Sequence, residues 1–296
     1  DKKLQINLLD AGFLDVTKIE QKLLDIENKS DKDSTKVNSS PTTTETKKES
    51  FLSLEQKSKK YELAPDLSSI DGYINTNNLP VTIAQYKGKK VVLLDIWTYS
   101  CINCQRTIPY LNEWHKTYED DGLVIIGLHT PEFSFEKVQK NVEKAVKDFD
   151  IKYPVVLDND FSTWNAYGNR YWPRKYLIDI DGYIVYDHAG EGQYAETEKQ
   201  IQKALSELNS RLKRDTEIST DISKPVGVTN VDSGKVKSPE VYFGSARNSI
   251  LTNGKNGMSG NQTLSLPSTI SFNKLYLDGT WNITPEYAEN ANEGSI

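Results

Sequence analysis

The chain has 296 residues, of which 36% are hydrophobic and 26% charged, with a net charge of −6 and a mean hydropathy of −0.61. The length leaves room for two domains, and the low apolar share predicts that part of it is tether rather than packed core. An acidic balance without a basic block argues against nucleic acid as a partner, and no apolar run approaches the eighteen residues of a membrane span. Asp1-Lys2-Lys3 does not read as a signal peptide, and a start on Asp rather than Met reads as a fragment or processed chain.

Residues 1–60 open with an amphipathic stretch in which Leu8, Leu9, Phe13, Leu14, Ile19, Leu23, Leu24 and Ile26 recur at near-helical spacing. This predicts a short helix, either an ordinary packing face or a docking or juxtamembrane helix. From 28 to 50 the composition turns to Ser, Thr, Lys, Asp and Glu, which predicts a solvated linker.

Residues 61–214 alternate strand-like and helix-like segments, as a sheet with helical crossovers requires. Strands are expected at 91–97, 123–129, 154–157, 176–180 and 183–188, the last two joined at Asp181-Gly182 in a hairpin. Helices are expected at 104–118, 135–149 and 195–214, the first containing Pro109. Trp172-Pro173 stands at the mouth of a central strand, a place for a special turn and a cis bond.

The two cysteines of the chain, Cys101 and Cys104, stand three apart directly after the apolar run Val91-Val92-Leu93-Leu94-Asp95-Ile96. With Cys104 in the first turn of a helix the sulfurs can meet at bonding distance, and the helix N-terminus favours a thiolate at Cys101. Cys101 is therefore expected to attack a disulfide and Cys104 to resolve the mixed disulfide. Asp95, alone among apolar residues, is placed to accept the Cys104 proton, directly or through a water; a hydrogen-bonded structural carboxylate is the alternative. A zinc site would need two further ligands, and His115, His129 and His188 do not have the spacing, so no metal or cofactor is expected. A purely structural disulfide closing so short a loop would restrain the unfolded chain little.

Asp95-x-Trp97, Cys101-x-x-Cys104, Pro109, and Trp172-Pro173 ahead of a strand and an Asp-Gly hairpin together resemble a thioredoxin-fold protein. Ala64-Pro65-Asp66, Tyr86-Lys87-Gly88-Lys89 and the long insert between Cys104 and Pro173 resemble the TlpA/ResA-like branch. The stretches at 129–133 and 188–192 resemble the thioredoxin-like domain of DipZ-type proteins. The resemblance implies a thioredoxin-like α/β/α sandwich with a central mixed sheet. It implies an extracytoplasmic thiol–disulfide oxidoreductase, membrane-tethered in its full-length form, that reduces disulfide-containing proteins with electrons from a CcdA-like membrane partner. It assigns the nucleophile to Cys101, resolution to Cys104, the buried carboxylate to Asp95 and an acidic residue near the thiols to Glu132. For Glu132 the alternative is a first-turn acid of the second helix. Pro173 is then the cis-proline facing the disulfide, Trp172 offers backbone groups to an extended substrate, and Trp97 and Ser100 complete the substrate-contacting set. The chain departs from the family at Ser100, where a tryptophan is usual, and at Ile102-Asn103, where Gly-Pro or Pro-Pro is common, so neither reduction potential nor partner can be carried over.

Gly190-Glu191-Gly192 lacks the third glycine of a nucleotide loop and reads as a turn, and His115 reads as a solvated helix residue. Residues 215–237 form a polar linker with Pro225 and Gly227. Residues 238–296 carry short β-like runs at 264–266, 269–272 and 275–277, which resemble the start of the carbohydrate-binding-module-like β-sandwich of DipZ-type proteins. Tyr242, Tyr276 and Trp281 are candidates for a sugar platform or for core. The alternative function is thus a glycan- or protein-binding module with the thioredoxin domain as scaffold.

Overall fold

The computed structural model describes residues 51–291, apart from 78, 229–230, 232–234 and 236. The amphipathic stretch at 8–26 and the linker at 28–50 lie outside the described residues.

A mixed six-stranded sheet has the order β1-β4-β3-β2-β5-β6, with β1 Gly72–Ile74, β2 Val91–Trp97, β3 Leu123–His129, β4 Val155–Leu157, β5 Arg174–Ile178 and β6 Ile184–Ala189. β2 and β3 match the expected spans, because an apolar run buried on both faces is legible without periodicity. β2 pairs parallel with β3 and antiparallel with β5, and β1 and β6 close the two edges antiparallel. Strand alternation sends Val91, Leu93 and Trp97 to one face of the sheet, and Val92, Leu94 and Ile96 to the other. Asp95 shares the face of Leu93 and Trp97, which α2 (Ile102–Tyr118) covers with Cys104, Ile108 and Leu111.

Two expectations are corrected around this sheet. The helix expected at 135–149 divides into a short 3-10 turn, Ser134–Lys137, and α3, Gln139–Asp148. The Glu136 side chain turns back onto the amides of Glu132 and Phe133, which fixes a tight turn that Val138 then leaves in extended conformation. The strand expected at 176–180 is shifted to 174–178, because the hairpin turn draws in Asp179, whose Oδ1 accepts from the amides of Asp181 and Tyr183. α4 spans Ser162–Ala166 and α5 Tyr194–Leu212.

The helix α1, Leu54–Lys60, precedes the sheet and starts in a capping box between Ser53 and Gln56. Its Lys57 ammonium is buried and meets Asp179 at 2.5 Å, Asp181 at 2.8 Å and Glu207 of α5 at 2.5 Å. Burial opposes the charge, and the three carboxylates more than offset it, so the amine is held protonated well above its usual range. The packed body thus begins ahead of residue 61.

In the C-terminal region the antiparallel strands β7 Gly260–Leu264, β8 Gly279–Ile283 and β9 Ala288–Asn290 cover a small core of Leu251, Leu264, Leu275, Leu277 and Ile283. The runs expected at 264–266, 269–272 and 275–277 are not these strands: Phe272 is 98% exposed, and Leu275 and Leu277 reach the core from irregular backbone. The actual strands are polar sequences such as Gly-Asn-Gln-Thr-Leu, held by ladder hydrogen bonds, and residue preference carries little information there.

Replacing Lys57 by Met leaves Asp179 and Glu207 buried without their cation, and Asp181 with Arg211 alone, and is expected to cost about 3–5 kcal/mol of stability. Denaturant unfolding measures it, and a loss below about 1 kcal/mol would mean that the acids are hydrated rather than clasped.

Candidate active site

β2 ends at Trp97, and four residues later Cys101 adopts extended backbone angles as the N-cap of α2. Its Sγ accepts the Cys104 N–H at 3.4 Å, so the sulfur occupies the place of a capping oxygen. Both thiols are free; Cys101 is half-buried and Cys104 is 1% exposed. The hydrogen bond from the Cys104 thiol leads the causes that hold Cys101 below an ordinary thiol. Burial opposes it, the backbone amides of Cys104 and Asn103 add to it, and the Glu132 carboxylate pushes the other way. Burial above all pushes the Cys104 thiol well up, followed by its hydrogen bond to Cys101 and the charges of Cys101 and Asp95.

Asp95 lies beneath this pair, 2% exposed, and burial raises its carboxyl to about 6. Lys175, directly across the β2–β5 ladder, restrains the rise. Lys175 is itself fully buried, which lowers its amine, while Asp95, Cys104 and Glu191 favour its charge; its Nζ donates to the Gly190 carbonyl at 3.4 Å. Asp95 Oδ1 has no hydrogen-bond partner among the described residues, so it has a free lone pair for an incoming proton.

The loop before Cys101 is held from below by Glu136, a fully buried carboxylate. One oxygen accepts from the Ser100 hydroxyl at 2.6 Å and the Ser100 amide at 3.3 Å; the other accepts from the amides of Glu132 at 2.6 Å and Phe133 at 2.9 Å. His129 Nε2 accepts from the Tyr99 amide at 3.3 Å, and burial drops the imidazole to about 4 against the pull of Glu136, so the ring is neutral. On α2, Arg106 forks onto both Glu191 oxygens at 2.7 Å and reaches Asn103 at 2.5 Å, which ties the thiol helix to the loop ahead of α5.

The remaining expected residues divide. Trp172–Pro173 is cis, with the Pro173 carbonyl accepting from Gly190 N at 2.8 Å. The Trp172 indole is half-buried, donating to the Thr130 carbonyl at 2.9 Å with its ring 4.2 Å from Trp164. Ser100 is exposed beside Cys101. Glu132 lies in the loop after β3 rather than in a helix, and its carboxylate contacts Arg247 at 2.6 Å and the Tyr242 hydroxyl at 3.2 Å. Trp97 is corrected: at 1% exposure it is core, edge-on to His129 at 5.2 Å, and presents no face to a substrate. His115 is corrected as well, being half-buried edge-on to Tyr153 with its Nε2 3.2 Å from Glu119. Tyr242, Tyr276 and Trp281 attend to different neighbours: Glu132 and Glu240, the Ser271 amide, and the small C-terminal core.

Sequence reasoning missed Lys175, Glu136 and Arg247. A lysine two positions after Pro173, at the head of the apolar run Tyr176-Leu177-Ile178, was a usable signal for the first. Glu136 looks like one more acid on a solvated helix face, and nothing local marks Arg247. Among the described residues, Asp179, Asp181 and Glu207 converge as metal ligands would, but the Lys57 ammonium fills their centre.

An α/β body that delivers two unequal thiols over a buried carboxylate defines a thioredoxin-like thiol–disulfide oxidoreductase. Residues 59–205 match the Redoxin family model. The chain is 38% identical over 239 residues to Protein DipZ of Mycobacterium tuberculosis, covering 79% of this chain and 33% of that protein, so it spans about a third of the DipZ length. It is 30% identical over 128 residues to the thiol-disulfide oxidoreductase ResA of Bacillus thuringiensis, covering 43% of this chain and 68% of ResA. A thiol-disulfide isomerase structure from Corynebacterium glutamicum superimposes with a TM-score of 0.44 at 22% identity, over 48% of this chain and 97% of that one. The chain belongs to the redoxin-type thiol–disulfide oxidoreductases, with DipZ and ResA among its relatives.

Alkylation of the reduced protein at mildly acidic pH is expected to modify Cys101 first, since Cys104 is both shielded and harder to ionise. Peptide mapping decides it; label on Cys104 ahead of Cys101 would reverse the two roles.

Proposed function

We propose that this chain is the extracytoplasmic exchange unit of a DipZ-type protein and that it reduces protein disulfides with electrons supplied by a CcdA-like membrane partner. The observation that carries the reading is the inequality of the thiols, with Cys101 reachable and held low and Cys104 sealed above Asp95. The Cys101 thiolate attacks one sulfur of a substrate disulfide, the substrate S–S bond breaks, and the leaving sulfur departs as a thiolate that takes a proton from water. The Cys104 proton passes to Asp95, and Cys104 attacks Cys101 Sγ, expelling the second substrate thiolate. Two electrons have then moved from the dithiol to the substrate, and a dithiol donor must restore the pair.

The reducing direction is supported by charge. At Cys104 burial and the Asp95 carboxylate disfavour the thiolate, which destabilises the reduced pair relative to its disulfide and favours giving electrons away, against the opposite pull of the lowered Cys101 thiol. The membrane partner and the location rest on the match to DipZ across 239 residues. Trp172 and Pro173 supply backbone for an extended substrate segment, and Ser100 forms its near edge. The domain reading that accompanies this function is a thioredoxin-like unit at 61–214 with α1 packed onto it, a linker at 215–237 and a β region from 238.

Insulin reduction with the pair intact and with Cys101 replaced by Ser tests the activity; equal rates would end the proposal. A midpoint potential more negative than that of glutathione is expected, and a more positive one would reverse the direction. Asp95→Asn is expected to stay folded and to slow resolution of the mixed disulfide at neutral pH by 10-fold or more, within the range of a general base. In the wild type that rate should fall as pH drops through about 6, where Asp95 takes up its proton, and the substitution should flatten the fall. An unchanged resolving rate across pH would leave Asp95 a structural role.

A further inference from the structure

The Glu132 carboxylate is held by a residue 115 positions away in the chain. Arg247 Nη1 meets Glu132 Oε1 at 2.6 Å, and the Tyr242 hydroxyl donates to the same oxygen at 3.2 Å. The guanidinium is positioned by the rings of Tyr242, at 3.9 Å, and Phe133, at 4.8 Å. A second grip lies next to it: the Glu286 carboxylate accepts from the Ser134 amide at 2.9 and 3.0 Å and from the Ser134 hydroxyl at 2.7 Å. The two grips belong to one unit, because Ser245 and Ala246 amides donate to the carbonyls of Thr284 and Pro285 at 2.8 and 3.0 Å. The segment leading into the C-terminal sheet and the turn between β8 and β9 therefore clasp residues 132–134 together, and on the inner side of that loop Glu136 joins Glu132 and Phe133 to Ser100, the neighbour of Cys101.

We propose that Arg247 is a positioning residue of the thiol site, which fixes and neutralises Glu132 beside Cys101 and so makes the C-terminal region part of the exchange apparatus. The proposal rests on Cys101 being the attacking thiol. The charged and titratable groups acting on Cys101 are Cys104 and Arg106 from α2 and Glu132 from the loop after β3. Those on Glu132 are Arg247 and Tyr242, with Glu240 behind Tyr242. Of these, Glu132 is the carboxylate that opposes the Cys101 thiolate, and Arg247 is its partner cation. With the guanidinium gone, a poorly hydrated carboxylate faces the sulfur uncompensated, and the thiolate becomes harder to form.

The test is the pH profile of Cys101 alkylation by iodoacetamide in the full chain. Arg247→Met is expected to move the profile upward and to slow labelling at neutral pH about threefold, equivalent to roughly half a pKa unit. Arg247→Lys should restore most of the rate, since it keeps the charge. Glu132→Gln should move the profile downward, and adding Arg247→Met to it should produce no further shift. An unmoved profile in Arg247→Met, or the same shift whether or not Glu132 is present, would overturn the proposal. If Arg247→Met does not fold, the opposite shift in Glu132→Gln and the near-normal profile of Arg247→Lys decide it. Label on Cys104 in the unmodified chain would instead overturn the assignment of the attacking thiol.

Discussion

A strand buried on both faces carries one carboxylate, and the site depends on that arrangement. β2 has no solvent on either side, so Asp95 cannot ionise freely; its carboxyl is raised from 3.8 to about 6 and its charge is balanced by Lys175 across the ladder. The folded protein therefore holds that proton more tightly than the unfolded chain does, and stability is lost as pH rises through the window between about 4 and 6. A group that weakens the fold at neutral pH while standing under a buried thiol is a candidate for function, and proton transfer from Cys104 is the role proposed for it. The same strand directs Trp97 into the core and ends where α2 must begin, which brings one sulfur to the surface and seals the other.

Outside that strand, ties between distant parts of the chain hold the site in register. Arg106 and Glu191 fasten the thiol helix to the loop ahead of α5, Glu136 fastens Ser100 to the loop after β3, and Lys57 fastens α1 to the β5–β6 hairpin and α5. Each is partly or fully desolvated, so removing one partner costs more than at a surface pair, because the other charge is left buried and unpaired.

Much of this was legible in sequence because it is local. The apolar runs at 91–97 and 123–129, the Cys-x-x-Cys after a strand, and the Asp181-Gly182 hairpin all lie within a few residues of their own signal. What escaped is what depends on register or on long separation. Lys175 opposes Asp95 only once β5 pairs with β2, and Glu136 looks like a solvated helix acid until its turn folds back. Arg247 has no local mark, and the C-terminal strands are too polar for residue preference to reveal. Trp97, placed among the substrate contacts with the resemblance, is instead core, because strand alternation points its ring inward.

The central claim is that exchange begins at Cys101 and is completed by Cys104. Incubating the reduced Cys104→Ser protein with a disulfide substrate and mapping the product by mass spectrometry tests it most directly. The account predicts a mixed disulfide at Cys101 that accumulates and persists, where the unmodified protein releases reduced substrate and forms Cys101–Cys104. Release of reduced substrate by Cys104→Ser at the unmodified rate, with no trapped species at Cys101, would contradict it.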